Sequence, residues 1–449
     1  MKRLHTILIF GIFFITTNVA AQESWSLDEC VAHAIAHNLN LKDLNYNTAA
    51  NKEGHRQSYR ELFPTVSASS NYFVQYGRSI DPNNNEIVSS DFFSNNYSIN
   101  ANIDIFRGFQ KLNTIASTNF LHGATKQEAL QEKYMLAFRV MTAFYDVQFF
   151  EGLLEISKEQ VDISLTNYNL AKKQIELGLK AASDLYEVES VLIADKLLVT
   201  QSKNNLSAAE LQLIQEMNLE NTTEIQINNS EEILLEEEAV SYLTVDSVYN
   251  QAITFMPIIQ AQKLRVHAAK KDIAIARANL YPSLSLSAGY GTGFFETNVD
   301  ATGEVIPFNT QIKDNASQFV GLSLRIPISN RWSTRSQIKQ QKIALRRSTN
   351  NLDIQKQTLN KVIQELVQGR EASMEEQQQT EQSEKARLLT FEIAQKKYKS
   401  GLISAVELYQ SKNLYAKAQN ENLQVKLKLK VQEKTLNFYM GLPIFNIKK

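Results

Sequence analysis

The side chains that could do chemistry in this sequence are few and poorly assembled for it. His33 and His37 stand four residues apart, a spacing that puts two imidazoles on one helix face and can hold zinc. No glutamate follows His33 and no third ligand is evident, so the pair reads as helix surface. Gly289, Gly291 and Gly293 alternate like a phosphate-binding run, yet no βαβ unit surrounds them, and they read as residues that ease a strand into its loop. Neither a nucleophile elbow nor a P-loop occurs. Cys30 is the sole cysteine, so no intrachain disulfide is expected. Two carboxylates, Asp184 and Glu407, sit just inside helix starts, and Ser404 with Glu407 has capping-box spacing. There a negative charge stabilises the helix N-terminus, which does not prevent it from facing a pore. The chain is therefore expected to be no enzyme, with no catalytic residue, metal site or cofactor.

What positions these residues is a duplication. Laid on itself at a shift of 218, the sequence sets Leu62-Phe63-Pro64-Thr65 on Leu280-Tyr281-Pro282-Ser283; further on the shift becomes 223 and sets Gly178-Leu179 on Gly401-Leu402. The change falls in a polar loop. Two halves with one order of elements imply internal two-fold repetition. Residues 1–21 read as a secretory signal, with Lys2 and Arg3 before an apolar core and Val19-Ala20-Ala21 as the cleavage site. The first repeat covers 22–243: a leading helix, a strand pair in 65–107, a helical hairpin over 109–219 and an equatorial segment 220–243. The second covers 244–449, with its strand pair in 283–328 and hairpin over 332–440.

Each leading helix is expected to end before a proline, Pro64 or Pro282, because proline cannot extend the hydrogen-bond ladder. The period then becomes two. Ile99, Ala101, Ile103 and Ile105 alternate with Asn100, Asn102 and Asp104; Leu284, Leu286 and Ala288 alternate with serines that include Ser285; Val320, Leu322, Leu324 and Ile326 alternate with Gly321, Ser323 and Arg325. Aromatics gather at both strand ends: Phe63, Phe106, Tyr281 and Trp332 at one, Tyr76, Phe92, Phe93, Tyr97, Phe294, Phe295 and Phe319 at the other. Transmembrane barrels carry two such girdles. Four strands of about 10 to 12 residues suit a tilted bilayer crossing, but supply no second sheet to bury the apolar face. An open sheet in lipid would leave unpaired edges, so the barrel must close with other copies of the chain. Asn100, Asn102, Asp104, Ser285 and Arg325 are the candidate lumen residues, and their mixed signs predict no strong ion selectivity.

Helical patterning then runs from Gly108 to about Glu176 and from Trp332 to about Lys399, roughly 100 Å each at ~1.5 Å per residue. Leu136, Val140, Ala143, Val147, Phe150 and Leu154 recur at coiled-coil spacing, as do Leu345, Leu352, Leu359 and Leu366. Both helices end in similar breaks at Gly178 and Gly401, where glycine permits the left-handed closing residue, and a partner helix runs back. Formal charge is −1, from 47 basic and 48 acidic residues, which proposes no nucleic-acid partner.

Over nearly its whole length the chain resembles the TolC-type outer-membrane efflux family. The tip motifs carry the resemblance: Tyr398-x-x-Gly401 followed by Glu407-Leu408, and Gly178 with Asp184-Leu185. The family implies a mainly α fold with a small β part: antiparallel hairpins forming an α-barrel, and four strands per chain joining a transmembrane β-barrel shared by a homotrimer. It further implies residence in the bacterial outer membrane with the helices reaching into the periplasm. Gly178, Asp184, Leu185, Tyr398, Gly401, Glu407 and Leu408 would form the gate and the contact with a periplasmic adaptor, and an inner-membrane pump would supply the energy. Two departures stand out. The family often places a glycine pair and a phenylalanine where strand meets helix, whereas this chain has Phe106-Arg107-Gly108 and Ser329-Asn330-Arg331. Some members carry a basic residue after the tip glycine and a second acid; here Ile403 and Gln410 stand there. The rival readings are a coiled-coil tether or adhesin, and a metal-dependent periplasmic enzyme resting on His33 and His37 alone.

Overall fold

The two prolines do stop helices where the sequence predicts, but each leading segment is two helices. The computed structural model describes residues 24–81, 85–89, 91–220, 222–228, 244–443 and 445; the signal segment and most of 220–243 lie outside them. Helices α1 (Leu27–His37) and α2 (Leu39–Arg60) are separated by an extended Asn38, and α5 (Val245–Phe255) and α6 (Pro257–Ala278) by Met256. Pro257 explains the second break, since proline fits a helix's first turn and not its interior. The first break, 218 residues earlier, has no proline to mark it.

The chain divides into two compact units, each built from both repeats. One comprises 40–133 and 245–364, the other 1–39, 134–244 and 365–449. The 67-residue helices α3 (Gln110–Glu176) and α8 (Ser333–Lys399) contribute to both.

The first, the strand unit, holds a four-stranded antiparallel meander: β1 (Thr65–Gln75), β4 (Phe92–Arg107), β5 (Ser283–Phe295) and β6 (Ser317–Arg325), in that order across the sheet. A small hairpin of β2 (Ser79–Ile80) and β3 (Ile87–Val88) lies in the first loop. β4 is longer than its clean alternation suggested, because it begins at Phe92. A bulge between Asp104 and Phe106 displaces Ile105 from the pairing, so that Phe106 rather than Ile105 faces Leu284. The loop after β5 contains a helix invisible in the sequence pattern, α7 (Phe308–Asp314). It is tied back to the strand by Gln311, whose amide accepts from Phe295 N and donates to Phe295 O, both at 3.0 Å, and by Asn315 Nδ2 donating to Gly293 O at 2.8 Å.

Among the described residues, the regular structure of the hairpin unit is helical, with one parallel bridge of Trp25 with Ile227. Helices α4 (Ala182–Met217) and α9 (Ala405–Tyr439) return beside the ends of α3 and α8. Its core uses the predicted seam: Leu136, Val140, Ala143 and Val147 are buried, with Ala137, Met141 and Phe144 beside them. Phe150 and Leu154 are half-buried. Of the heptad leucines on α8, only Leu359 is buried in the single chain.

Candidate functional site

Two surfaces carry the predicted site residues, the faces of the sheet and the hairpin tips. In an antiparallel ladder, residues directly opposite share a face, so the register sorts the sheet into rows. Thr65, Asn102, Ser287 and Gly321 form one row, and Asp104, Ser285 and Ser323 the next along the same face. Arg107, Ser283 and Arg325 follow beyond the bulge, and the row of Ser67, Asn100, Gly289 and Phe319 precedes them on the same face. All five predicted lumen residues are thus on one face. Asp104 is paired with Arg107 and Lys111, each at 3.6 Å. Gly289 is a packing glycine rather than a loop easer, because a Cβ there would meet the Phe319 ring at 2.3 Å.

The intervening rows are apolar: Val66, Ala101, Ala288 and Val320; Ile103, Leu286 and Leu322; Phe106, Leu284 and Leu324. Among the described residues of the unit, none covers their outer members. Val320 is 78% exposed and Leu322 65%, and both edge strands are exposed along almost their whole length. Burying such a face is worth ~25 cal/mol per Å², a gain the exposed rows do not realise within the unit. Of the girdle aromatics, Trp332, Phe63 and Tyr76 are exposed, while Phe92 is buried and belongs to the core instead.

Where strand hands over to helix the backbone turns left-handed twice, at Gly108 (φ +56°) and Phe109 (+61°), and again at Arg331 (+54°) and Trp332 (+63°). The geometry survives without the glycine pair. At Gly108 a side chain is excluded on a second ground, since a Cβ would approach Ala278 O to 2.6 Å.

The hairpin tips are paired Schellman turns. Leu179 N donates to Gln174 O and Gly178 N to Ile175 O; Leu402 N donates to Lys397 O and Gly401 N to Tyr398 O. Both glycines are left-handed, at φ +71° and +72°, with open space where a side chain would be. Glu407 is exposed and completes the predicted cap, its amide donating to Ser404 Oγ at 3.2 Å. Asp184 and Leu185 are half-buried, and the residue at the equivalent capping place is Ala181, which offers no side-chain cap. Tyr398 and Leu408 lie in a core cluster with Phe391 and Tyr415, and Ile403 packs against it. An apolar contact therefore stands at Ile403, two residues after the tip glycine. Lys180 Nζ sits 4.2 Å from the centre of the Tyr398 ring, a cation–π contact joining the two tips. What the tips expose is greasy: Leu177, Leu179, Tyr186 and Leu402.

The histidine pair is a clasp. His33 Nδ1 donates to Met217 O at 3.2 Å, His37 Nδ1 donates to His33 O at 2.9 Å, and the rings stack at 4.1 Å. Burial, then the neighbouring His37, push the His33 pKa down. Among the described residues no group of three or more His, Cys, Asp or Glu could hold a metal. Cys30 is buried, and that burial pushes its thiol up to about 12, far from the reactive thiolate range.

The family model described as outer membrane efflux protein matches residues 31–219 and 248–442, one stretch in each repeat. The chain belongs to the outer membrane efflux protein family. Similar relatives include the toluene efflux pump outer membrane protein TtgC and the antibiotic efflux pump outer membrane protein ArpC, both of Pseudomonas putida. Each is 22% identical over 295 residues, 61% of this chain and 57% of the relative. The match thus spans little more than half the length of these relatives. Among solved structures, CusC superposes with a TM-score of 0.78 at 16% identity, covering 93% of this chain and 92% of that one. The Campylobacter jejuni CmeC outer membrane channel gives 0.76 at 15% identity, covering 92% and 85%. The Vibrio cholerae VceC outer membrane protein gives 0.75 at 13%, covering 92% and 96%. Efflux-family membership fits an outer-membrane protein that crosses the bilayer by strands, and among the described residues no helix is long and apolar enough to do so.

The triad that sequence reasoning missed is Ser164, Asp195 and Lys412, buried together in the hairpin unit. The available signal was polar residues at core spacing, Ser157, Gln160, Ser164 and Asn167 on α3 with Asp195 and Ser202 on α4.

Proposed function

We propose that this chain is one protomer of a passive exit duct across the outer membrane, serving a tripartite efflux or type I secretion system. The observation that carries the reading is the sheet: one polar face, one uncovered apolar face and two open edges. In lipid, edges must be paired and apolar faces turned outward. A homotrimer joining β6 of each copy to β1 of the next would make a twelve-stranded barrel with Asn100, Asn102, Asp104, Ser285 and Arg325 around the lumen. The tip residues Gly178, Asp184, Leu185, Gly401 and Glu407 would frame the periplasmic gate, with Tyr398 and Leu408 as the core behind it. The exposed Leu177, Leu179, Tyr186 and Leu402 suit an adaptor that offers apolar side chains. An inner-membrane pump supplies the energy, so the duct itself carries out no reaction. Efflux is supported by the relatives, which are efflux pump outer membrane proteins.

The test is the mass of the detergent-purified protein together with its conductance in a planar bilayer. Three times the 51.0 kDa chain, less any cleaved signal, and discrete conductance steps are expected. A monomer that passes no current would overturn the reading.

A further inference from the structure

The core seam of α3 changes character part-way along. Leu136, Val140, Ala143 and Val147 are apolar; then, at the same alternation of three and four residues, come the buried polar side chains of Ser157, Gln160, Ser164 and Asn167. Helix α4 answers with a buried heptad line of Val188, Asp195, Ser202 and Ala209. Two of the polar members of α3, Ser157 and Ser164, meet α4 across the interface. Ser157 and Ser202 share a hydrogen bond at 2.9 Å, and Ser164 Oγ donates to Asp195 Oδ2.

A third helix completes the set. Lys412 of α9 is 1% exposed; its Nζ donates to Ser164 Oγ at 2.7 Å and to the same Asp195 oxygen. Tyr409 lies beside it, its ring centre 5.5 Å from Nζ. Two opposite charges and a hydroxyl, drawn from three helices and both hairpins, thus satisfy one another out of water.

An apolar seam is nearly indifferent to sliding, because a slip of one heptad, ~10.5 Å at 1.5 Å per residue, sets one aliphatic side chain where another was. A buried charge is not indifferent. Slipped or rotated, Lys412 would face apolar neighbours with no anion, and Asp195 would be stranded likewise, the situation that makes single polar core residues fix register in coiled coils. The apolar half of the seam supplies cohesion without a unique setting; the polar half supplies the setting.

We infer that Ser164, Asp195 and Lys412 form a register pin that fixes the height and rotation of α9 on α3 and α4 and so holds the two tip turns level. They are positioning residues. They touch no cargo, and they lie behind the tip rather than in it. The consequence for a gate rests on the exit-duct reading; the pin itself does not.

The experiment reads register directly. Nitroxides are placed at Tyr186→Cys on α4 and Leu402→Cys beside α9, both more than 70% exposed, with the buried Cys30 left in place. Labelled chain is diluted into unlabelled chain, and the distance between labels is measured by electron–electron double resonance. The parent should give one narrow distribution. The apolar triple variant S164A/D195L/K412M should keep its helicity and melting temperature yet give a broadened distribution, or a second one displaced by up to about a heptad, ~10 Å. A triple variant that folds and keeps the single narrow distance overturns the pin. If the triple variant does not fold, the double variant D195N/K412Q, which removes both charges and keeps polar side chains, decides, broadening supporting the pin and an unchanged distance overturning it. Conductance separates the two readings: a parent that shows register control but no current refutes the duct alone, and a conducting parent with unaltered register in the variants refutes the pin alone.

Discussion

The strand unit and the hairpin unit are assembled from the same two repeats, yet they break the rule of apolar inside and polar outside in opposite directions. The strand unit leaves Val320, Leu322 and Leu324 on the surface, while the hairpin unit buries Ser164, Asp195 and Lys412. Exposed grease and buried charge answer different needs. The first marks apolar surface that the described residues of its own unit leave uncovered; the second marks a place whose partners are all present and whose arrangement must be unique. In the sheet, register is already set by the backbone ladder, where a slip of one residue would turn every side chain to the wrong face. Helices packed through an apolar seam have no such ladder between them, so their register has to come from side chains.

The strongest way to break this comparison is to remove one member of the buried set. Lys412→Met leaves Asp195 charged, buried and unpaired, and should cost about 3–5 kcal/mol, read as a lowered urea midpoint of the helical signal. Adding D195L and S164A should recover most of that loss, since a well-packed apolar replacement of a buried pair is often neutral or better. A single variant as stable as the parent would show that the pair is not held dry.

Charge placed in the sheet sharpens the other half. Val320→Arg stands in the row Val66, Ala101, Ala288 and Val320, and should cost about 2–4 kcal/mol of folding into bilayers if that row meets the lipid midplane. Ser287→Arg, one step along in the adjacent polar row, should assemble like the parent and lower the single-channel conductance. Equal damage from both would mean that the faces are not distinguished by lipid.

Smaller effects are expected where the repeats differ. Gly108→Ala adds left-handed strain to a close approach to Ala278 O and should cost about 1–3 kcal/mol. Gly178→Ala, left-handed but in open space, should lose only about 1 kcal/mol. Arg331→Gly, at the junction equivalent to Gly108, should be near neutral. Thermal melts of the three variants would rank them, and a Gly108→Ala as mild as Gly178→Ala would remove the packing argument.

Much of this was legible in residues. Pro64, Pro282, Gly178 and Gly401 mark where elements stop, because proline and left-handed glycine act locally. The two-residue period of Asn100, Asn102 and Asp104 told which residues share one face of the sheet. Less was legible where the cause is not local. The break at Asn38 is matched by Met256 only through the duplication, and α7 is held by Gln311 reaching back to Phe295, which no pattern announces. Phe92 reads as a girdle aromatic by position and is core by contact. The triad of Ser164, Asp195 and Lys412 is spread over 248 positions of sequence; each member alone looks like an ordinary polar helix residue, and only a seam predicted on both α3 and α4 would have shown that they were inside.

The faintest expected effect separates the units by pH. In the hairpin unit the Glu210 carboxyl is pushed up, first by burial and then by Glu151 and Glu224; burial also pushes up Asp146 and Glu433, the latter opposed by Arg370. A carboxyl raised in the fold binds its proton more readily there than in the unfolded chain, so its ionisation weighs against the fold at neutral pH. That burden lifts as pH falls through the folded value toward the ordinary glutamate value near 4.5. His33, whose pKa is lowered, acts the other way, weakening the fold as pH drops through the ordinary histidine value near 6.5. The parent's melting curve mixes both signs, and the useful quantity is its difference from Glu210→Gln. The variant should melt higher than the parent at pH 7, and the gap should close as pH falls below 4.5, where Glu210 is protonated in both states. A gap that stays constant from pH 7 to below 4.5 would mean that Glu210 ionises in the fold as it does in the unfolded chain, and that the hairpin unit tolerates an unpaired charge as well as the neutralised pair of Lys412 and Asp195.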